Sequence, residues 1–334
     1  MIFYEVINFW RRRAHPALAA QQGGFSRFLR KKKHMSKPNA SPRQREALLP
    51  YLLLSPGLLL LVGMLYPFFL GFYYSLTNYY LQYPHLFRFI WLDNYFKLVQ
   101  DPLFAYSFKF TLAYAFAAVV VQVGLGLLVA LLLNSRIKGR GVLRAMMLMP
   151  LMMPPVITAL MWKIMMASTK AGILNYLLSF VGLGPVNWLG AMNSAIASVF
   201  LIDTWGNLPF VSLILLGGLQ SLPTEPYEAA RVDGAAGWGV FRYITLPLLK
   251  PFLILAATFR VMDSLRIFDV IYAATVGGPA DATMNLHLRA FFFAFQWYQM
   301  GMGMAYAMVL LILVFLASYF LMGYWKRAAE QTAL

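Results

Sequence analysis

Six runs of about 20 apolar residues mark the chain, each long enough to cross roughly 30 Å of hydrocarbon as a helix. They fall near residues 48–76, 106–133, 146–166, 193–219, 251–276 and 301–325. None alternates with a period of two, so the pattern predicts spanning helices and argues against a β-barrel. Between the fourth and fifth runs lies a polar stretch, 220–247, with a pattern of its own. Pro223 and Pro226 suit the first turn of a helix, and Thr224 is a candidate N-cap. Glu225 and Glu228 lie near the positive end of that helix's dipole. A short helix over 227–232 then meets Gly234, which turns freely. Trp238, Phe241 and Ile244, three apart, predict a second short amphipathic helix before Pro247 and Pro251 at the entry to the fifth run. A helix–turn–helix under a membrane is shaped to dock into a partner.

Composition agrees with the pattern. Of 334 residues, 60% are hydrophobic and 12% charged, about half the charge of a soluble chain. That excludes a soluble enzyme, a disulfide-stapled secreted domain or a disordered tail as the whole chain. The lack of cysteine excludes Cys-ligated zinc and iron–sulfur sites. The net charge of +16 would suit nucleic acid or anionic lipid, and its position decides between them. Twenty of the 28 Lys and Arg fall in segment 1–47, the loops after runs two and four, and the C-terminal tail. The other loops hold Arg88, Lys97, Lys170 and Arg289. With six spans the rich segments share one side, so both termini are placed in the cytoplasm. Trp91, Trp188, Trp297, Tyr324 and Trp325 near span ends suit an interfacial belt.

Segment 1–47 carries eleven Lys and Arg and two Glu. No compact apolar region with a cleavage site follows its arginines, which argues against a signal peptide. Three readings stay open: a basic arm on anionic lipid, a solvated tail, or a translation start at Met35. The expected division is a basic, disordered cytoplasmic leader over 1–47, a six-helix transmembrane domain over 48–325 containing the loop 220–247, and a cytoplasmic tail over 326–334.

The polar loop carries a signature: Glu228-Ala229-Ala230, three residues, Gly234, nine residues, Ile244, one residue, Leu246-Pro247. It resembles the EAA motif of importer-type ABC permeases, with Asp233 and Ala235 also in the pattern. Other pieces look like the carbohydrate branch, of the maltose-type first membrane subunit. They are Asn94-Tyr95, Asp101-Pro102, Pro154-Pro155 with Trp162, Gly172-Ile173-Leu174-Asn175, Trp188-Leu189, Gln220-Ser221-Leu222-Pro223, Phe268-Asp269 and Thr275-Val276-Gly277-Gly278-Pro279. The resemblance covers about 48–325. It implies an all-α membrane protein of the six-helix type I importer (MetI-like) fold. It implies that Glu228, Ala229, Ala230, Asp233, Gly234, Ile244, Leu246 and Pro247 form a coupling element for a separate ATPase. The chain has no G-x-x-x-x-G-K-[ST] phosphate loop. It is therefore expected to be a transport subunit rather than an enzyme, binding no cofactor itself, with ATP-Mg on partner subunits. The implied partners are a second related permease, two ATP-binding cassette subunits and a periplasmic or lipid-anchored solute-binding protein. The implied setting is a bacterial or archaeal cytoplasmic membrane.

Ionisable groups at membrane depth are expensive and are candidate sites by default. Asp203, Asn207 and Phe210 share one face of run four, where Pro209 is expected to bend the helix. Run five carries Arg260, Asp263, Arg266 and Asp269 at spacing three. The resemblance puts the solute pathway at Asp203, Gly206, Asn207, Phe210, Asp263, Ser264 and Ile267. Asp203 and Asp263 depart from a neutral sugar site and put a maltose-like solute in question. Pairing of Arg260 with Asp263 and of Arg266 with Asp269 is as reasonable as a role in the pathway. Free arginines would suit an anion such as an oligo-uronate or glycerol phosphate. The methionines crowding run three are expected to be packing filler. The four histidines lack partners at ligand spacing, and Lys163 is expected to snorkel. Gly301, Gly303 and Ala305 are expected to allow close helix packing. The expected function is half of an ATP-driven, binding-protein-dependent pore for a sugar or oligosaccharide. The same machine moving an anion is the alternative, and an ion-gradient-driven secondary transporter the remote one.

Overall fold

A computed structural model describes residues 42–135, 138–169 and 172–332, with side chains from 54 to 331. The three readings of the leader lie outside the described residues, except that 42–47 begin a helix. So do Arg136 and Lys170. The chain divides into two compact units, residues 1–64 and 65–334. The described part of the first is the leading portion of helix α1 (Pro42–Ser75). Its side chains from Leu54 onward are exposed, with Leu59 at 74% and Met64 at 77%. An apolar helix without a polar face has lipid or another membrane helix as its natural surroundings.

The second unit holds the end of α1 and α2 (Asp93–Gln100), α3 (Pro102–Asn134), α4 (Arg140–Met152) and α5 (Pro155–Met165). After these come α6 (Ile173–Phe180), α7 (Met192–Ser221) and α8 (Glu225–Val232). A continuous helix α9 (Trp238–Leu265), α10 (Asp269–Ala274), α11 (Leu286–Phe291) and α12 (Met300–Thr332) complete it. There are no strands among the described residues, only an isolated bridge between Thr77 and Phe89.

Among the described residues, five helices are long and apolar enough to cross a membrane: residues 54–75 of α1, and α3, α7, α9 and α12. The third apolar run is not a straight span. It breaks into α4 and α5, bent by 100°. Pro154 and Pro155 have no amide to donate, and a residue before proline is pushed out of the helical region. Met153 accordingly sits at φ −85°, ψ 134°, and Pro155 starts the next helix. Counting the bent pair as one gives six spans.

The fifth run differs at both ends. The helix begins at Trp238 and absorbs the expected second amphipathic helix, so Trp238, Phe241 and Ile244 belong to the span's own first turns. A π-turn over Phe241–Thr245 lies just before Pro247, where the ladder must bypass a residue with no N–H. The helix stops at Leu265, and 269–274 form the separate α10. Pro209 lies buried inside α7, which continues to Ser221. The C-terminal tail is helical to Thr332 as an extension of α12.

α3 and α7 form the most extensive helix pair, with α9 against both and α12 behind α9. Their contact is close: a Cβ on Gly126 would come within 2.5 Å of a methyl of Val211. One buried cluster there joins Ala130, Leu133, Val211, Leu215, Leu249 and Ala256. Small residues let membrane helices approach, and packing then supplies the attraction. Gly126→Leu should therefore force α3 and α7 apart. The expected outcome is little folded protein after detergent extraction, read by size-exclusion profile; a wild-type profile would count against this contact. Gly303 likewise admits the backbone around Ala290 and Ala294, so the 301–305 stripe does serve close packing.

Candidate functional site

The first candidate site is the polar loop. α8 starts one turn after Leu222, with Pro226 at its second position and Glu225 and Glu228 in its first turn. Thr224 occupies the N-cap position, but its side chain makes no capping bond; its carbonyl instead accepts from the amides of Tyr227 and Glu228. The helix closes on Gly234 at φ +72°, the left-handed region that a residue without Cβ enters freely. The amide of Ala235 donates to the Ala230 carbonyl at 2.8 Å, sealing the turn. Ala230 is buried, while Glu228, Ala229, Asp233, Gly234 and Pro247 are exposed. Ile244 and Leu246 are half-buried at the base of α9. The Tyr227 hydroxyl donates to Thr245 Oγ1 at 3.2 Å, tying α8 to α9. Val232, Trp238 and Tyr243 are 88%, 73% and 80% exposed. This bond links α8 to a spanning helix, and the element offers apolar and acidic groups for a partner to cover.

The second candidate site is inside the bundle. Asp203 on α7 is 4% exposed and Arg260 on α9 is 1% exposed. Arg260 Nη2 reaches Asp203 Oδ2 at 3.1 Å and Ser264 Oγ at 2.9 Å. From α3, Gln122 Nε2 donates to the same Oδ2 at 2.9 Å and to Thr204 Oγ1 at 3.2 Å. Asn207 Nδ2 donates to Asp203 Oδ1 at 2.8 Å and to the Asp203 carbonyl at 3.0 Å. The cation for Asp203 thus comes from another helix, 57 positions away. Asp263 pairs with Arg266 at 2.8 Å, whereas Arg260 is at 4.0 Å from it. Both arginines are ion-paired, but Arg266 takes Asp263 rather than Asp269. Gly206, Asn207, Phe210, Asp263 and Ile267 are half-buried and Ser264 is buried. Phe210 stands edge-on to Phe259 at 5.7 Å, and Trp162 to Trp205 at 5.9 Å.

Sequence reasoning missed Gln122, and also Arg289. The latter reads as a loop charge, yet it is 3% exposed on α11. Its Nε donates to Ser107 Oγ at 3.1 Å and its Nη2 to Asp281 at 3.1 Å. It thereby braces a loop in which Val276, Ala280 and Asp281 all have positive φ. Such conformations persist only where the surroundings over-determine them.

Several residues of the family-like pattern are structural. Asn94 donates to the Ser75 and Thr77 carbonyls, both at 2.8 Å. Asp101 caps α3 by accepting from the Leu103 amide at 2.9 Å. Asn175, 1% exposed, donates to the Ala167 and Val186 carbonyls and accepts from the Val186 amide and Trp188 Nε1. Asn175→Leu would orphan these groups, at about 1–3 kcal/mol for each one left buried and unpaired. The expected result is a clear fall in the thermal midpoint; no change would count against the clasp.

The fold defines a multi-pass membrane protein that carries an exposed loop helix. Residues 122–330 match the family described as "Binding-protein-dependent transport system inner membrane component", and the chain belongs to that family. It is 43% identical over 250 residues to the trehalose/maltose transport system permease protein MalF of Thermococcus litoralis, covering 75% of this chain and 84% of that one. It is 33% identical over 250 residues to the multiple sugar-binding transport system permease protein MsmF of Streptococcus mutans, covering 73% and 83%. A chain of a bacterial ABC transporter importing the acidic polysaccharide alginate shares the fold, with a TM-score of 0.74, 21% identity, and coverage of 85% of this chain and 99% of that one. The protein is a transport permease of the inner membrane.

Proposed function

We propose that this permease forms half of the pore of an ATP-driven importer for a sugar or oligosaccharide. It pairs with a second, related permease. α8 docks into a separate ATPase subunit, one of two that bind and hydrolyse ATP-Mg, and a periplasmic or lipid-anchored binding protein delivers the solute. The membrane is the cytoplasmic membrane of a bacterium or archaeon. The observation that carries this reading is α8 itself. It is exposed, held in a fixed turn by Gly234 and tied through Tyr227 and Thr245 to a spanning helix. Closure of the ATPase dimer pushes α8, and α9 moves with it. The sugar is supported by two relatives, permeases of a trehalose/maltose and of a multiple-sugar transport system. Pairing of Arg260 and Arg266 removes the observation that favoured an anion.

The test is reconstitution in proteoliposomes with the partner permease, the ATPase and the binding protein. ATP hydrolysis should rise when binding protein loaded with maltose or trehalose is added. Stimulation by anionic saccharides and by no neutral carbohydrate would replace the sugar reading with the anionic one.

A further inference from the structure

The buried cluster does more than neutralise itself. Asn207 faces two acceptors on its Asp203 side, a carboxylate oxygen and a carbonyl. Only its Nδ2 can donate to them, so the amide orientation is determined by chemistry rather than chosen. Its Oδ1 must then point away from Asp203, and it accepts no hydrogen bond from the described residues. Asn207 is half-buried, one residue from Gly206 and one helical turn from Phe210. Asp203 has no such face. Its Oδ2 takes Gln122 and Arg260, its Oδ1 takes Asn207, and it is 4% exposed. On the more open side, Asp263 and Arg266 are tied to each other. The four ionised groups sum to zero charge.

We propose that Asp203 and Arg260 are positioning residues that never touch the solute: they hold the Asn207 amide so that it presents an acceptor oxygen to the pathway. A bare acceptor takes a hydroxyl hydrogen and repels a carboxylate, phosphate or sulfonate. The cluster therefore selects neutral, hydroxyl-rich solutes. This rests on the importer reading above and deepens it. It also moves Asp203, which the family resemblance puts in the solute pathway, behind that pathway.

The experiment measures uptake of maltose, trehalose, sorbitol and maltobionate by the complete reconstituted complex. The double variant Asp203→Asn/Arg260→Gln keeps an acceptor for Asn207 Nδ2 and leaves no unpaired charge. It should transport neutral solute within about threefold of wild type, a difference smaller than one hydrogen bond. Asn207→Leu should lower the same uptake by about tenfold, the scale of one lost solute hydrogen bond. Complex yield and thermal midpoint are recorded for each, so that loss of folding is separated from loss of transport. If the double variant assembles normally but loses uptake as Asn207→Leu does, Asp203 touches the solute and the proposal falls. It falls also if Asn207→Leu transports normally, or if wild type prefers maltobionate to maltose. Wild type inert to maltose and trehalose but active with sorbitol defeats only the disaccharide reading; a neutral polyol still fits the acceptor.

Discussion

A Gly234→Val variant is expected to assemble in the membrane and lose most solute-stimulated ATP hydrolysis. Gly234 sits at φ +72°, and a Cβ placed there would meet nothing within 4 Å. The effect is therefore conformational and not a clash. A β-branched residue in the left-handed region costs roughly 1–3 kcal/mol, which the chain can escape by rerouting the turn. The turn is exposed and peripheral, so rerouting moves α8 without disturbing the bundle. An energy of that size corresponds to about 5- to 150-fold in a docking equilibrium. Gly234→Asn supplies the control, because Asn tolerates the left-handed region far better. Hydrolysis stimulated by loaded binding protein should fall steeply for valine and stay near wild type for asparagine. Equal, wild-type stimulation in both would remove this turn from the coupling path.

The contrast between this loop and the bundle explains what the sequence reveals. α8 and its turn are local: prolines, acids, a short helix and a glycine all act within a dozen positions, and each was legible. The spans were legible for the same reason, since hydropathy is summed over neighbours. A change of direction is invisible to that sum. The third run stays apolar straight through Met153, and only the Pro154-Pro155 pair marks the 100° bend.

Pairing was the least legible property. One-turn spacing pointed to Arg260–Asp263 and Arg266–Asp269. α9, however, ends at Leu265, so Arg266 and Asp269 do not share a helix. Arg260 does keep Asp263 within 4.0 Å, but its closer carboxylate is Asp203, across the α7–α9 contact. Gln122 was the available hint, a lone amide in the apolar run 106–133. Arg289 carried a hint too, because the apolar residues around it in Leu286–Phe291 suit a buried helix better than a loop.

Arg260→Met should be among the most destabilising single changes in the chain. Removing one partner of a buried ion pair costs about 3–5 kcal/mol, because the other charge stays buried without compensation. Gln122 and Asn207 would still donate to Asp203, but neither brings a positive charge. Asp203→Leu strands the guanidinium instead, with Asp263 at 4.0 Å as its remaining carboxylate and that group already held by Arg266. Asp203→Leu/Arg260→Met leaves no charge in the gap. Replacing a whole buried pair by apolar groups is often neutral or even stabilising. The double variant should therefore unfold at a higher temperature than either single one. The cycle is read from thermal midpoints of the purified complex in detergent. Additive losses would mean that the two charges do not depend on each other, and the pair would then be no part of what holds α7 to α9.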